Sequence, residues 1–233
     1  MSIEAVARAI AFTEDHLREP VTVGAMADAA HYSLYHFCRV FSRHTGLSPY
    51  TYLVRRRLTF AVEDVIVSRR RIVEVAFEVG FDSHEGFSRA FARLFSVTPI
   101  QARDRGWVAN PARLPTLTPE HLRCLRRNGG LVPVLSREGD VADLPWDGAV
   151  RVPVPLTWPV TEPPPVVPPG GDAIRRCASF QLTGTEDHGL VLDWLVHVWL
   201  VVARFELAAP QVVIDRAGTR VNVPVCRNVS RSA

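Results

Sequence analysis

There is no lysine in this chain; all 27 basic residues are arginine. Such a complement points first to a codon-biased genome and only second to chemistry. Cysteine is scarce: Cys38, Cys124, Cys177 and Cys226 lie 86, 53 and 49 residues apart, with no C-x-x-C. That spacing excludes a zinc knuckle or a thioredoxin-type motif. Four scattered thiols fit a reducing cytosol, with a bridge left open. The first twenty residues lack a basic n-region and an apolar h-region, so no secretory signal is expected. Long hydrophobic runs are also missing. The best candidate, 189–205, is 17 residues long and carries Asp193, His197 and Arg204. A membrane span needs about 20 predominantly apolar residues, so a buried or interfacial helix is expected there, and no membrane partner. No glycine-rich phosphate loop, metal-ligand spacing or Ser/His/Asp constellation stands out. An enzyme, catalytic residues, a bound metal and a cofactor are therefore not expected.

What is present is an ordinary globular composition. The 233 residues are 47% hydrophobic and 22% charged, enough for a packed core and one or two domains. The net charge of +3 and pI near 8.9 permit a polyanionic partner without demanding one. Proline divides the chain. Pro20, Pro49 and Pro99 are the only prolines before residue 107, and the other fifteen fall between 111 and 224. The run PVPLTWPVTEPPPVVPPGG (153–171) can form neither a helix nor a central strand. The expected organisation is a helical domain over 1–106, a Pro-rich, poorly structured linker over 107–172, and a small module over 173–233.

Apolar spacing and punctuation place the helices. Ile3, Val6, Ala7, Ile10, Ala11 and Leu17 make a 3.6-period stripe that Pro20 ends. Thr22 caps a short helix through Ala30. Ser33 caps another to Thr45, which Gly46 closes. A long helix covers about 48–68, a short one 72–79, a Ser83-capped one runs to 95, and a last begins near Pro99. These helices contain a repeat. SLYHFCRVFSRHTGLSP (33–49) and SHEGFSRAFARLFSVTP (83–99) share six identities in seventeen positions. Each copy follows a short helix and a tight turn, so the pattern is a helix-turn-helix, twice.

In both copies phenylalanines recur at i and i+4 (Phe37 and Phe41; Phe87 and Phe91) and anchor the second helix to the core. The residues between them face outward: Tyr35, His36, Cys38, Arg39 and Arg43 in the first copy, His84, Glu85, Ser88, Arg89 and Arg93 in the second. Arginine reads guanine bidentately or clamps phosphate. Two such helices in one chain would reach successive major grooves of double-stranded DNA, binding an asymmetric site as a monomer. Residues 1–106 are expected to fold and do this alone. Arg55–Arg57 lie mid-helix and point in different directions, with at least one expected in an internal salt bridge. Arg69–Arg71 sit at the turn before the second copy, where phosphate contact and plain solvation are both open.

These residues resemble the DNA-binding domain of AraC/XylS-type transcription regulators. The matching stretches are MADAAHYS, FCRVF, TGLSPYTYL, RRRLTFA, IVEVAFEVGFDS, FSRAFARLF and VTPIQAR, across some 45% of the chain. The resemblance implies seven helices, a linker helix between two helix-turn-helix units, a cytoplasmic regulator, and RNA polymerase as a partner. It also implies base contact by Tyr35, Cys38, Arg39, His84, Glu85, Ser88 and Arg89. Three positions depart from the family pattern: Asp64 for leucine, Ser96 for glycine and Ala102 for an aromatic, which together are expected to loosen the core. Cys38 is a weak hydrogen-bonding group, so relaxed readout by the first helix is expected.

Beyond residue 173 the pattern is strand (174–182), apolar helix (186–205) and a hairpin (211–216, 219–227) turning at Ala217-Gly218. This βαββ unit resembles, more weakly, half of a GyrI-like effector-binding domain; no clean helix for the other half is visible in 107–160. The fold class is thus all-α followed by a small α+β module. The apolar helix has no polar face. A three-stranded sheet covers one side, leaving the other for a ligand, a second copy or the linker. Trp194 and Trp199 are candidates to line a pocket for a small apolar or cationic effector, or a self-association face, against the alternative of plain core tryptophans. Asp193 and His197, spaced i,i+4, are expected to pair. A rival to the regulator is an effector-binding or gyrase-inhibitor-like protein whose helical domain has lost specific DNA contact. Cys38, Glu85 and the +2 charge of residues 1–106 keep that reading open.

Overall fold

The computed structural model describes residues 3–68, 70–109, 112–127, 134–135, 150–153, 157–158, 175–182, 187–203, 205–207, 211–214, 217–218 and 220–227. Arg69, most of the Pro-rich run and residues 228–233 lie outside them. The first part is helical: α1 (Ile3–Asp15), α2 (Val23–Ala29), α3 (Leu34–Thr45), α4 (Pro49–Ile66), α5 (Ile72–Glu78), α6 (His84–Phe95) and α7 (Pro99–Arg105). Cap chemistry sets these ends. The side chains of Thr22, Ser48, Ser83 and Thr98 each accept a backbone N–H three residues on. Thr98 and Gln101 complete a reciprocal capping box. Ser33 occupies the N-cap of α3 without a side-chain hydrogen bond.

The repeat is built at two offsets. Ser33 and Ser83 accept from Phe37 and Phe87, an offset of 50. In the turns, Tyr32 N–H donates to Ala27 and Phe81 N–H to Ala76, an offset of 49. The second turn is one residue longer, with Asp82 inserted. His31 (φ 60°) occupies the left-handed position that Gly80 (φ 73°) takes in the second unit.

Two cores result. Phe37, Val40, Phe41, Tyr52 and Leu53 pack with α1 and α2; Leu58, Val62 and Val65 pack with Phe87, Phe91, Phe95 and α5. The linker helix α4, roughly 27 Å long, contributes its first turns to one core and its last turns to the other.

The expected poorly structured middle is corrected in part. It contains strand β1 (Val108–Ala109), helix α8 (Pro119–Arg127), and strands β2 (Val134–Leu135), β3 (Val150–Pro153) and β4 (Thr157–Trp158). Thr118 caps α8 with histidine at N3. Thr118 Oγ1 accepts from His121 N–H, and Thr118 N–H donates to His121 Nδ1 at 3.1 Å. The sequence signal was hidden because this box uses histidine instead of Glu or Gln. Leu114, Leu117, Leu122 and Cys124 from this region enter the first core.

The C-terminal part holds β5 (Arg175–Gln181), α9 (His188–Trp194), a π-helical turn (Leu195–Trp199), α10 (Leu200–Val202), β6 (Phe205–Leu207), β7 (Gln211–Ile214) and β8 (Arg220–Arg227). The sheet is antiparallel, ordered β2-β5-β8-β7-β3, with β6 also on β8. Two of its strands come from the middle segment, so it is wider than the three-stranded unit expected. Alternation on β8 sends Val221, Val223 and Val225 into the core with Phe180, Val212 and Ile214. Buried Asn222 is satisfied by the Ser179 hydroxyl at 2.7 Å.

The other side of the apolar helix is closed by the chain itself, by the end of α3 and by α8 of the segment expected as a linker. The Trp194 indole donates to the Thr45 carbonyl at 3.2 Å, and α8 lies against α1, α3 and α9. Trp194 and Trp199 are 6% and 9% exposed. A fragment ending at residue 106 would uncover this interface. The ion-pair contact of Asp193 is with His121, whose Nε2 is 3.7 Å from the carboxylate, while the expected partner His197 acts on it only through its charge. That contact holds the Asp193 carboxyl below its usual range, partly offset by burial. None of the four cysteines is in a disulfide. Among the described residues no helix is long and apolar enough to cross a membrane.

Candidate nucleic-acid interface

Helices α3 and α6 are amphipathic in the same register. Phe37 and Phe41 are fully buried with ring centroids 5.4 Å apart; Phe87 and Phe91 are fully buried at 5.7 Å. Each pair fixes the roll of its helix, because residues at i and i+4 share one face. The opposite faces carry the ten candidate residues. On α3, Tyr35 is 74% exposed, Arg39 and Arg43 are exposed, and His36 and Cys38 are half-buried. On α6, Glu85, Arg89 and Arg93 are exposed, with His84 and Ser88 half-buried.

Local contacts preorganise part of this surface. The Arg39 guanidinium lies 5.9 Å from the centre of the Tyr35 ring, one turn earlier. His36 meets Tyr32 edge-on at 4.8 Å. His84 Nε2 and the Ser88 hydroxyl are 3.4 Å apart. Arg43 and Arg93 sit in the last turns of their helices, where the helix dipole favours a cation. Leu34, 53% exposed, is the residue on this face that the sequence reading passed over; its place one turn before Cys38 was the available signal.

The arginine triplet of α4 faces inward. Arg55, Arg56 and Arg57 are all under 10% exposed and fan out in three directions. Arg55 donates to the carbonyls of Ala112 (3.1 Å) and His197 (2.6 Å), reaching the π-helical turn. Arg56 forms the expected internal salt bridge, with Glu14 at 2.6 Å, and also donates to Leu114 and Thr116. Burial opposes the Arg56 charge, and the Glu14 carboxylate more than offsets it. Arg57 donates to Gly80 and Glu19. Arg70 is an ion-pair partner of Glu78 at 2.5 Å.

A cleft of about 280 Å³ beside α4 is lined by Arg18, Arg56, Thr59, Phe60, Glu63, Asp64 and Arg113. Asp64 faces this cleft and is half-buried, which explains how a carboxylate replaces leucine without entering a core. Trp194 and Trp199 are not among the residues lining this cleft; Trp199 packs on Phe180 and Phe205. No group of three or more His, Cys, Asp or Glu gathers as a metal site among the described residues.

A family model described as "Helix-turn-helix domain" matches residues 26–105. The regulatory protein SoxS of Escherichia coli K12 is 31% identical over 96 residues, covering 41% of this chain and 90% of SoxS. The chain belongs to the AraC-type helix-turn-helix regulators. The transcriptional regulator Rob of Salmonella typhimurium is 36% identical over 114 residues, covering 46% of this chain and 39% of Rob. The YbfP regulator of Bacillus subtilis is 30% identical over 96 residues, covering 41% and 32%. The chain thus spans well under half the length of these two relatives. Among solved structures, the DNA-binding domain of AdpA in complex with a target DNA is 29% identical, covering 43% of this chain and 91% of that one at a TM-score of 0.42. The family-model match falls on the helical part of the chain.

Proposed function

We propose that this protein is a sequence-specific regulator that inserts α3 and α6 into successive major grooves of one DNA site. The observation that carries the reading is the matched exposure of Arg39 and Arg89 at equivalent places on two helices, each rolled by a buried phenylalanine pair. In that role Arg39 and Arg89 read base edges, and Arg43 and Arg93 contact phosphate. Family membership supports it, since SoxS and Rob are named as regulators. The first helix also carries the C-terminal module on its end, through Thr45 and Trp194. That contact supports modulation of the first reading helix by the module.

Arg39→Ala and Arg89→Ala should each weaken specific binding by about 1–3 kcal/mol. Electrophoretic titration with a duplex selected from a random library measures this, with circular dichroism as the folding check. Two folded variants of unchanged affinity would remove the groove-insertion reading.

A further inference from the structure

The two reading helices belong to different cores, so something must hold them at one separation. The side chain of Arg57 touches both units at their backbones. Arg57, 7% exposed in the middle of α4, donates from Nη1 to the Gly80 carbonyl at 3.0 Å. From Nη2 it donates to the carbonyl of Glu19 at 2.5 Å and lies 3.5 Å from that of Val21. Gly80 belongs to the turn between α5 and α6; Glu19 and Val21 belong to the connection between α1 and α2. The approach is close enough to dictate sequence on the far side. A Cβ at residue 80 would fall 2.7 Å from the Arg57 guanidinium carbon and 3.0 Å from the Glu19 carbonyl oxygen. Beside this fork, Glu78 of α5 is ion-paired with Arg18, which follows α1, and with Arg70. A guanidinium is rigid and planar, so carbonyls bonded to two of its nitrogens are held in a fixed mutual geometry.

We propose that Arg57 is a positioning residue that sets the spacing and orientation of α3 relative to α6, and thereby selects DNA sites by the distance between their two halves. It does this without touching DNA. The proposal rests on the two-helix reading above, and it predicts a specific kind of loss. Removing the fork leaves each helix able to read its own half-site but frees the angle between them.

Two measurements on the full chain separate the outcomes. Cys38 on α3 is partly exposed, while Cys124, Cys177 and Cys226 are buried. Nitroxide labels at Cys38 and at Ser88→Cys on α6 therefore report the distance between the two helices by pulsed dipolar spectroscopy. The expected result is one narrow distance, broadened or displaced in Arg57→Ala and intermediate in Arg57→Lys, which keeps the charge but loses the fork. The second measurement uses a library-selected duplex and versions with one base pair inserted or deleted between the half-sites. Arg57→Ala should lose most of the preference for the selected spacing, while its affinity for a duplex carrying one half-site stays that of the parent chain. An unchanged distance distribution in folded Arg57→Ala overturns the proposal. So does an Arg57→Lys chain that matches the parent in both measurements, and this variant decides if Arg57→Ala fails to fold. A parent chain that selects no bipartite duplex would sink the two-helix reading, with the label distances still deciding what Arg57 does.

Discussion

The two helix-turn-helix units follow one local plan but have different surroundings. Both present a capped, amphipathic second helix on a buried phenylalanine pair. The core of the first unit runs on through Leu114, Leu117 and Leu122 into Trp194, Val198 and the sheet. The core of the second closes largely on itself, adding Val108 and Ala112, with Val201 packed against it. The comparison teaches that two copies of one local plan can be built into their surroundings unequally. The C-terminal module meets the end of α3 through Trp194 and Thr45, and meets the second core through Val201.

The largest test is core truncation. Phe37→Ala and Phe87→Ala should each cost about 3–5 kcal/mol, read by chemical denaturation. Hydrogen exchange should then part them: Phe37→Ala speeds exchange in α9, β5 and β8 as well as in α3, and Phe87→Ala only in α5 to α7. Identical exchange maps would mean that the two cores act as one.

A smaller contrast lies at the helix ends. Gly46 and Ser96 are equivalent C-caps in the left-handed region, at φ 76° and 61°. Ser96→Gly should stabilise by about 1 kcal/mol, because serine bears a Cβ penalty there that glycine lacks. Gly46→Ser should cost about 2 kcal/mol; its added Cβ also meets Trp194 Cζ2 at 3.3 Å. Equal and opposite effects in thermal melts would show that the docked module adds nothing at this cap.

The smallest effect is electrostatic. Burial holds the His197 imidazole below its usual range, helped by Arg55 and Arg113 and opposed by Asp193 and a backbone hydrogen bond to Arg113. The folded protein therefore resists a proton that the unfolded chain accepts near pH 6.5. Stability is full above that pH and declines as pH falls through it. Denaturation midpoints between about pH 7.5 and 5.5 should fall in the parent chain and fall less in His197→Gln. The loss should show in exchange from α3 before α6; a slope that His197→Gln leaves unchanged would assign it elsewhere.

Much of this molecule was legible along the chain. Apolar spacing and Ser/Thr caps located α1 to α7, and the repeated phenylalanines and arginines showed which faces of α3 and α6 turn inward and outward. These are local signals, set by helical periodicity and by backbone donors at helix ends, and they need no partner from elsewhere. The same held for β5, the apolar helix and the β7–β8 hairpin. What the chain could not reveal was everything decided by a distant neighbour. The partner of Asp193 is His121, 72 residues away in sequence, and no i,i+4 rule finds it. Helix α8 was masked by a histidine capping box, and the strands from the middle segment are too short to carry an alternation. Trp194 became a core residue because Thr45 and Gly46 come to meet it. Arg55, Arg56 and Arg57 are adjacent in sequence, and only the packing of α4 between two cores and beside the π-helical turn sends them to three destinations. Burial and long-range hydrogen bonding depend on what the rest of the chain places nearby, which is why tertiary structure alone decided them.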